Sequence, residues 1–385
     1  MSVLEAAEGT LPKFHGRLLV VLDKIGFPGG VVHGVGTYLL QTLPALADVG
    51  VTPRVVVFGP EHQTAEDLRQ RGIEVISLNR KKWSLRGFYD IKRLIANWKP
   101  DLIHLHGIKS VAGIPYWRSR NGPPIVAHVH DNVESPIDPL LAYSLERAAV
   151  VLTPSPALKK TLEKRFSRLP NIVPMPCGYD LTPYANGDRE GTRESLGFAS
   201  EDVVLGCSGR LAAVKGQQDL IEALALLKES GSPCFPNLRA ALIGDGPNRA
   251  HLVELAGKRG LTECVRFLGH RQDMPDVLAA CDLIVVPSLW LEAFGLVALE
   301  AMASKKYVIA SDTGGLADLV RDVGTLYPRG DIAALAEAIE AYLRAPAAYQ
   351  GQIQKGLEAA QDYRLEAHTE RLLEVYSRVL AEHDG

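Results

Sequence analysis

Short apolar segments rich in β-branched residues alternate along the chain with longer amphipathic segments. In the first half, the apolar segments are residues 17–23, 54–59, 73–78, 101–106, 124–130 and 149–155. They are almost continuously hydrophobic rather than alternating, which predicts strands that are buried on both faces. The segments between them are long enough for helices. This βαβα order predicts a parallel sheet with right-handed crossovers.

The same pattern starts again in the second half of the chain. Its apolar segments are residues 202–209, 238–244, 264–269, 281–288 and 307–311. Residues 177–200 are rich in proline, glycine and polar residues, so we place an interdomain linker there. The predicted fold class is α/β, with two doubly wound Rossmann-like domains that face each other across a cleft. We expect domains at 1–180 and 181–362, and a C-terminal helix within 363–385 that packs back on the first domain.

Length and composition agree with two globular domains and exclude several other classes. The chain has 385 residues, of which 46% are hydrophobic and 23% are charged, close to the average of soluble proteins. The five cysteines include no Cys-x-x-Cys pair, which argues against a zinc ribbon or a disulfide framework and favours a reducing compartment. Neither an export signal nor an apolar run of membrane-spanning length is visible. We therefore expect a cytoplasmic protein.

Charge is divided unevenly between the two halves of the chain. Residues 1–180 carry 22 Lys and Arg against 16 Asp and Glu, whereas residues 181–385 carry 20 against 29. The net charge of −3 therefore combines +6 in the first half with −9 in the second, which suggests that the halves have different partners. An isoelectric point near 6.4 argues against a nucleic-acid-binding protein.

Two glutamates flank the start of a predicted helix after the segment 281–288. Glu292 lies in the loop and Glu300 lies eight residues further on, with Phe-Gly-Leu at 294–296 between them. Gly295 would let a ligand approach the amino end of the helix, whose free N–H groups favour anions. Carboxylates in these positions can accept pairs of hydroxyls, such as those of a sugar or a ribose. The alternative is one glutamate stabilised by the helix dipole and one surface glutamate.

Two cations lie at a strand-to-helix junction of the same domain. Arg210 follows the segment 202–209, and Lys215 precedes Gly216 at the start of a predicted helix. An arginine fork, a lysine point charge and a helix amino terminus together suit a pyrophosphate. Taken singly, each residue is more often a solvated loop cation.

The first domain contains a glycine-rich loop at 26–40, after the first predicted strand. It includes Gly34, but it lacks the glycine spacing of a dinucleotide fingerprint, and no acid ends the second strand. A dinucleotide site is therefore a weak interpretation of this loop.

Two His-x-His pairs end predicted strands of the first domain, His104 with His106 and His128 with His130. Residues two apart on a strand share a face, so metal binding is conceivable. No third ligand type at a diagnostic spacing accompanies them, and we predict no metal site. We interpret His104 and His128 as buried, hydrogen-bonded histidines, and His130, at the strand tip, as the histidine that meets a ligand.

A basic segment at 79–93 contains six Lys and Arg, one acidic residue and three aromatic residues. Its candidate contact residues are Arg80, Lys81, Lys82, Trp83 and Arg86. Such a segment is typical of a surface that meets an anionic acceptor or the inner face of the cell membrane. A solvated, charged helix face is an equally good interpretation.

Taken in order, these motifs resemble those of the retaining, nucleotide-sugar-dependent glycosyltransferases of family 4, which have the GT-B architecture. The resemblance rests on GRLAAVKG at 209–216, FLGH at 267–270, CDLIVVPS at 281–288, and the two glutamates separated by seven residues. It covers most of the chain. It implies transfer of a sugar from a nucleotide-diphosphate sugar to a hydroxyl of a glycan or lipid-linked acceptor, in cell-surface polysaccharide or glycolipid synthesis. The first domain would take the acceptor and the second the donor.

The resemblance also implies a role for each site residue. Arg210 and Lys215 would neutralise the donor diphosphate, Glu300 would hold the ribose hydroxyls, and Glu292 the hydroxyls of the donor sugar. The other donor-binding residues implied are Gly34, Gly269, His270, Phe294, Gly295 and Leu296, acting mainly through their backbone. His130 would lie near the donor sugar, with Asp131 beside it, and would complete the catalytic set with Glu292, Arg210 and Lys215.

The chain departs from the family's pattern at a few positions. His33 replaces a glycine of the loop, Cys177 stands where asparagine is common, and Asp318 replaces a glutamate, which affects the prediction of sugar specificity. We expect no cofactor and no metal beyond the nucleotide sugar, because Arg210, Lys215 and helix amino termini can carry the charge that Mg²⁺ would. The alternatives are a nucleotide-sugar epimerase of the same architecture and a non-catalytic sugar-binding subunit.

Overall fold

The computed structural model describes residues 13–26, 34–80, 84–111, 113–119, 121–130, 139–166 and 168–384. The chain forms two compact units. The first comprises the described residues up to Tyr179 together with those from Arg364 onward, and the second comprises Asp180–Tyr363. The chain therefore passes between the units twice, at 179–180 and at 363–364.

The first unit is built on a parallel sheet of seven strands. These are β1 (Arg17–Leu22), β2 (Thr52–Val57), β3 (Glu74–Ser77), β4 (Leu102–His106), β5 (Ile125–His128), β6 (Val150–Thr153) and β7 (Ile172–Pro174), in the spatial order β3-β2-β1-β4-β5-β6-β7. The side chains of β4, β5 and β6 are buried on both faces of the sheet. This burial explains why their sequences are continuously apolar.

Helices join these strands and cover the sheet. They are α1 (Gly34–Asp48), α2 (Gln63–Gln70), α3 (Leu85–Trp98), α4 (Ile108–Val111), α5 (Ile114–Trp117), α6 (Pro139–Leu145) and α7 (Pro156–Arg165). Polar side chains cap the amino ends of some of these helices. Ser84 accepts a hydrogen bond from the Gly87 amide at the start of α3, and Ser155 accepts one from the Leu158 amide at the start of α7, which satisfies donors that have no partner within the helix.

The second unit repeats the plan with six parallel strands. These are β8 (Val203–Ser208), β9 (Leu238–Ile243), β10 (Val265–Gly269), β11 (Leu283–Val286), β12 (Tyr307–Ser311) and β13 (Thr325–Tyr327), in the order β10-β9-β8-β11-β12-β13. Its helices are α8 (Arg189–Ser195), α9 (Gln217–Glu229), α10 (Arg249–Lys258), α11 (Met274–Ala280), α12 (Leu296–Ala303), α13 (Gly314–Val320), α14 (Ile332–Arg344) and α15 (Gln350–Ala360). The strands and helices α9 and α14 share one buried apolar core.

The last helix, α16 (Leu365–Asp384), belongs to the first unit. It buries Leu372, Leu373 and Tyr376, and the phenol oxygen of Tyr376 lies 2.7 Å from Nδ1 of His104 on β4. The Leu365 amide donates to the carbonyl of Tyr179 at the end of the unit's first segment. An amphipathic helix that follows no strand thus completes the first core.

The sequence patterns predicted most of the strands, but they missed strands β7 and β13 and the regular structure within residues 177–200. The edge strands β7 and β13 are only three residues long, too short to show a pattern. The segment 177–200 is not an irregular linker, since it holds a 3₁₀ turn at Thr182–Ala185 and helix α8. Arg193 of α8 is buried and donates to carbonyl oxygens, including that of Ala280, inside the second unit. No helix in the described part of the chain is long and apolar enough to cross a membrane.

Candidate active site

The second sheet has one position where ligands are expected. Strands β8 and β11 are neighbours in the sheet, but the chain leaves β8 toward one edge and β11 toward the other. The loops that follow such a pair of strands diverge, and a crevice forms at their carboxyl ends. Arg210 and Lys215 lie in the loop after β8, and Glu292 lies in the loop after β11.

Lys215 and Glu292 meet directly. Nζ of Lys215 is 2.6 Å from Oε1 of Glu292, and the hydroxyl of Ser288 donates to the same carboxylate oxygen at 2.7 Å. The Lys215 side chain is 34% exposed and the Glu292 side chain is 17% exposed. The pair is therefore open to a ligand on one side, while the carboxylate is fixed by two donors on the other.

The backbone holds the two loops together at this pair. The Leu289 and Trp290 amides both donate to the carbonyl of Val214 at 2.9 Å. Gly216 adopts a left-handed conformation (φ +69°), and a Cβ at this position would collide with the carbonyl oxygen of Pro287. Glycine is thus required between the lysine and its helix, because only glycine allows the loops to approach so closely.

A third loop supports Glu292 from the side of β12. The Gly315 amide, at the start of α13, donates to the Glu292 carbonyl at 2.7 Å, and the Thr313 hydroxyl donates to the carbonyl of Trp290 at 3.1 Å. These bonds fix the backbone from which the Glu292 side chain extends, while Lys215 and Ser288 hold the carboxylate itself.

Arg210 lies two residues beyond the end of β8 and is exposed. Its carbonyl oxygen accepts a hydrogen bond from the side-chain amide of Gln217 at 3.1 Å. Gln217 is the first residue of α9 and is buried, so it ties the arginine loop to the helix that Lys215 precedes. The structure thus places both cations on one loop whose ends are fixed.

Glu300 lies in the second turn of α12 and has a hydrogen-bond partner that the sequence did not indicate. The phenol of Tyr184, in the 3₁₀ turn at 182–185, donates to Oε1 of Glu300 at 2.9 Å. Tyr184 is buried. The tyrosine therefore restricts the rotamer of a carboxylate that is itself half-buried.

The residues between the two glutamates form the amino end of α12. Gly295 has a φ of +115° and precedes Leu296, the first residue of the helix. Phe294 is buried and packs edge-on against Tyr363, with ring centroids 5.4 Å apart. Its side chain thus belongs to the core, and the backbone at 294–296 is the part that a ligand could use.

Gly269 and His270 lie at the end of β10. Gly269 has a φ of +67°, and its carbonyl accepts a hydrogen bond from the Gly244 amide at 2.7 Å. His270 follows it and is exposed. Both residues therefore stand at the carboxyl end of the sheet, with a turn that glycine permits.

Two of the predicted catalytic and donor-binding residues belong to the first unit. Gly34 is the first residue of α1, and a Cβ there would meet no atom of the described residues within 4 Å. Nε2 of His130 is 2.8 Å from Nδ1 of His106, so its imidazole is oriented by a second histidine. His33 and Asp131 lie outside the described residues.

Burial affects the histidines behind His130. His104, His106 and His128 are at most 2% exposed, and desolvation lowers the pKa of each of them well below the usual range. The prediction that His104 and His128 are buried is confirmed. The prediction that both are hydrogen-bonded is wrong for His128, because neither of its ring nitrogens has a partner among the described residues.

The basic segment divides into parts with different surroundings. Lys81, Lys82 and Trp83 lie outside the described residues. The Arg80 guanidinium approaches the Asp90 carboxylate to 3.4 Å, so its charge is partly offset within the unit. Arg86 is exposed on α3. One of the aromatic residues, Phe88, is only 5% exposed and belongs to the core, so it is not a surface contact.

Two functional candidates, Ser288 and Tyr184, were missed at the sequence level. Ser288 had a weak signal, since it ends an apolar segment just ahead of Glu292. Tyr184 had none, because it is 116 residues away from its partner Glu300 and only the folded chain brings them together.

Two family models match the chain, one on each unit. The model for glycosyl transferases group 1 matches residues 188–358, and the model for Glycosyltransferase Family 4 matches residues 32–182. The chain belongs to glycosyltransferase family 4. The boundary between the two matches falls within a few residues of the point where the chain enters the second unit.

Relatives with similar lengths are glycosyltransferases by name. The chain is 29% identical to the 2-deoxystreptamine N-acetyl-D-glucosaminyltransferase of Streptomyces fradiae, over 80% of this chain and 82% of that protein. It is also 29% identical to a D-inositol 3-phosphate glycosyltransferase of Stackebrandtia nassauensis, over 77% of this chain and 75% of that protein.

Solved structures share the fold. HepE of Anabaena, in a complex with UDP-glucose, superposes with a TM-score of 0.80 at 26% identity, over 94% of this chain and all of that one. Sucrose-phosphate synthase of Thermosynechococcus elongatus has a TM-score of 0.80 at 24% identity, over 95% of this chain and all of that one, a likeness of fold alone. The predicted fold class, GT-B with two Rossmann-like domains, is confirmed.

Proposed function

We propose that this family 4 member is a retaining glycosyltransferase that moves a sugar from a nucleotide-diphosphate sugar to a hydroxyl group without a metal ion. The observation that supports this best is the group formed by Lys215, Glu292 and Ser288 at the carboxyl ends of β8 and β11. It combines a cation for a phosphate with a fixed carboxylate for hydroxyls at the position where doubly wound sheets bind ligands.

The two cations would act on the leaving group. As the bond between the sugar C1 and the phosphate oxygen breaks, negative charge accumulates on the nucleoside diphosphate. Arg210 can bind two of its oxygens at once and Lys215 can approach as a point charge. The amides at the start of α12 add partial positive charge. Such charge stabilisation at a developing anion is commonly the largest contribution to catalysis.

The two carboxylates would hold the donor. Glu292 would accept hydroxyls of the sugar, because Ser288 and Lys215 occupy the side of Oε1 and the carboxylate has a second oxygen. Glu300 would accept the ribose hydroxyls, with its orientation set by Tyr184. Gly269 and His270 would offer backbone groups to the base. Gly34 and His130 of the first unit enter this proposal through the family resemblance alone.

Retention of configuration requires that the acceptor attack from the face that the phosphate leaves. The acceptor oxygen forms the new bond to C1 while the bond from C1 to the phosphate oxygen breaks, and the acceptor proton passes to the departing phosphate. In this scheme the chain's residues position the reactants and stabilise charge.

For the donor, UDP-sugars are the first choice, since HepE at 26% identity binds UDP-glucose. For the acceptor, we propose a glycan or lipid-linked hydroxyl in cell-surface polysaccharide or glycolipid synthesis. A second candidate is a cyclitol. It is favoured by the two relatives at 29% identity, which are named for 2-deoxystreptamine and D-inositol 3-phosphate.

The test is a donor screen. UDP-, GDP- and ADP-sugars are incubated with the full chain, with and without acceptors and in the presence of a chelator, and products are identified by mass spectrometry. We expect hydrolysis or transfer with one nucleotide class, and an α-linked product from an α-linked donor. An altered sugar nucleotide formed without acceptor would indicate an epimerase instead. A folded protein that binds none of the donors in thermal-shift assays would contradict the whole proposal and favour a non-catalytic subunit.

A further inference from the structure

The first unit contains a cluster of imidazoles on one face of its sheet. His104 and His106 lie two residues apart on β4, so they project to the same side, and the parallel register pairs His106 with His128 on β5. The ring centroids of these three histidines are 4.1–5.5 Å apart. They are at most 2% exposed. These three residues form a three-histidine cluster.

The cluster leaves polar atoms without partners. Nε2 of His104 and both ring nitrogens of His128 are buried and have no hydrogen-bond partner among the described residues. A neutral imidazole has one N–H donor and one lone pair to satisfy. Leaving such a group unpaired in the interior costs about 1–3 kcal/mol. Three buried, unpaired nitrogens in one place therefore form a set of donor atoms that a bound ion would satisfy.

Two of the rings are held in orientation by groups outside the cluster. Nδ1 of His104 is 2.7 Å from the hydroxyl of Tyr376 on α16, and Nδ1 of His106 is 2.8 Å from Nε2 of His130. For His104 the other ring nitrogen, Nε2, has no partner among the described residues and is left for a ligand. Histidines that bind metals show this arrangement, in which a partner on the second nitrogen fixes the ring and the tautomer.

The spacing of the nitrogens suits a single cation. One ring nitrogen from each of the three histidines lies within 4.8 Å of the other two. Two nitrogens bound to a tetrahedral zinc ion at 2.0–2.1 Å would be about 3.4 Å apart. Rotations that move the ring edges by about 1 Å or less would close this difference.

We propose that His104, His106 and His128 bind one divalent transition-metal ion, of the class that prefers imidazole ligands and includes Zn²⁺. The fourth position would face His130, which is only half-buried, and would be filled by water or hydroxide, because three neutral ligands leave the charge of the ion uncompensated. The ion would link β4 to β5 inside the first unit. The ion would take no part in the charge stabilisation proposed for Lys215 and Glu292, and His130 is the one residue that the two proposals share.

The test uses the full-length, untagged chain after treatment with a chelator. Zn²⁺ binding is measured by equilibrium dialysis, and Co²⁺ is added in parallel to obtain an absorption spectrum. We expect one ion per chain, and visible Co²⁺ bands of a tetrahedral site with nitrogen and oxygen ligands. No uptake at stoichiometric concentration, or an intense near-ultraviolet band from a thiolate ligand, would overturn the proposal.

Substitutions then locate the ion. His104→Gln and His128→Gln should each lower the affinity at least 100-fold, whereas His251→Gln, at an exposed histidine on α10, should not change it. Circular dichroism of the metal-free variants establishes that they are folded, and the Co²⁺ spectrum of the unaltered chain decides the question if they are not. Equal affinity in the cluster variants and the control would contradict the site.

Two tyrosine substitutions test whether Tyr376 fixes the orientation of the His104 ring. Tyr376→Phe removes the hydroxyl that contacts His104, and the affinity should fall about 10–100-fold, as for other groups that orient metal ligands. Tyr38→Phe removes a hydroxyl that contacts His368 instead, at 3.0 Å, and should leave the affinity unchanged. If both variants bind like the unaltered chain, Tyr376 does not orient a ligand and the assignment of Nε2 of His104 is wrong.

Discussion

At the scale of single residues, Lys215 and Glu292 neutralise each other's charge in an ion pair. Removal of either one leaves the other charge partly desolvated, and it also removes a contact that the proposed donor needs. The effect on activity should therefore exceed the effect of a typical surface ion pair, which contributes only about 0–1 kcal/mol.

Lys215→Met and Glu292→Gln should each lower kcat/KM for the donor about 100-fold or more, since the first removes a charge that stabilises the leaving diphosphate and the second weakens the group that positions the donor sugar. Lys258→Met is the matched control, because Lys258 pairs with Glu254 on the exposed surface of α10. Steady-state kinetics on the three variants would check this. A variant of Lys215 that is as active as the Lys258 control would exclude a role at the diphosphate.

Tyr184→Phe should raise KM for the nucleotide sugar about 3–10-fold and leave kcat nearly unchanged, since it removes one hydrogen bond that orients Glu300 and no group that meets the reacting atoms. Tyr143→Phe, at an exposed position of the first unit, is the control. A fall in kcat without a change in KM would show that Tyr184 does not act through the bound ribose.

The places of the charged candidate residues in the fold could be predicted from the sequence, whereas their supports could not. Arg210, Lys215 and Glu292 follow strands or precede a helix, and Glu300 lies within the helix that was expected after Glu292. Ser288 and Tyr184 act through one hydroxyl each, and the meaning of that hydroxyl depends on a partner that the fold supplies. The unpaired ring nitrogens of His128 could not be predicted either. The two-residue spacing between His128 and His130 does not show which side chains of the neighbouring strand β4 lie beside them.

At the scale of secondary-structure elements, α16 depends on a buried histidine. Nδ1 of His368 contacts the carbonyl of Pro176, and its Nε2 lies near the Tyr38 hydroxyl on α1. Burial lowers the pKa of His368 to about 4, with Arg371 on the same helix contributing. The histidines of β4 and β5 face it and are also held neutral by burial.

This arrangement predicts acid sensitivity. The unfolded chain takes up a proton at His368 near pH 6.5, and the folded chain does so only near pH 4. The contribution of His368 to the free energy of unfolding is therefore fully present above about pH 6.5. It is lost as the pH decreases toward 4, and the loss reaches up to about 3 kcal/mol. Urea unfolding at pH 7 and pH 4.5 would measure the loss, which His368→Gln should reduce and His251→Gln should not. An equal loss in both variants would contradict the assignment.

Helix α3 carries part of the basic segment 79–93, for which the sequence left a membrane surface and a solvated helix face as alternatives. Leu85 is 73% exposed and Tyr89 is 66% exposed on the same face, and the exposed Arg86 lies between them. Exposed apolar side chains flanked by cations favour the headgroup region of an anionic bilayer.

The double substitution Leu85→Ser with Tyr89→Ser should reduce co-sedimentation with vesicles containing anionic lipid at least 5-fold, without lowering the unfolding temperature, because neither side chain is buried. Leu226→Ser, at an exposed leucine of the second unit, is the control for lost apolar surface. Binding that persists in the double variant, or that is equally strong to neutral vesicles, would favour a solvated helix face.

The central strands were predictable, whereas one edge strand of each sheet, β7 and β13, was not. A strand buried on both faces has to be continuously apolar, so the segments that became β4 and β11 are distinct in the sequence. The three-residue strands β7 and β13 pair on one side only. Pro174 within β7 further obscures its pattern, although proline is tolerated at an edge.

At the scale of the whole molecule, the uneven charge agrees with a division of labour between the units. The first unit carries the surplus of cations, including the basic segment that contributes to α3. The second carries the acidic surplus, so the donor site proposed there would depend on the local charges of Arg210 and Lys215. The net charge of the second unit by itself argues against affinity for anions, and the proposed phosphate site rests on these two cations instead.

Because α16 returns to the first unit, the second unit is an insertion within it, and this has a consequence for synthesis on the ribosome. When residue 363 has emerged, the second unit has all of its sequence, whereas His104 and Tyr38 still lack their partners on α16. The later segment of the chain should therefore fold first. Nascent chains stalled with Tyr363 just outside the ribosomal exit tunnel should contain a protease-resistant second unit and a sensitive first unit, and chains from which residues 364–384 have also emerged should be protected in both units.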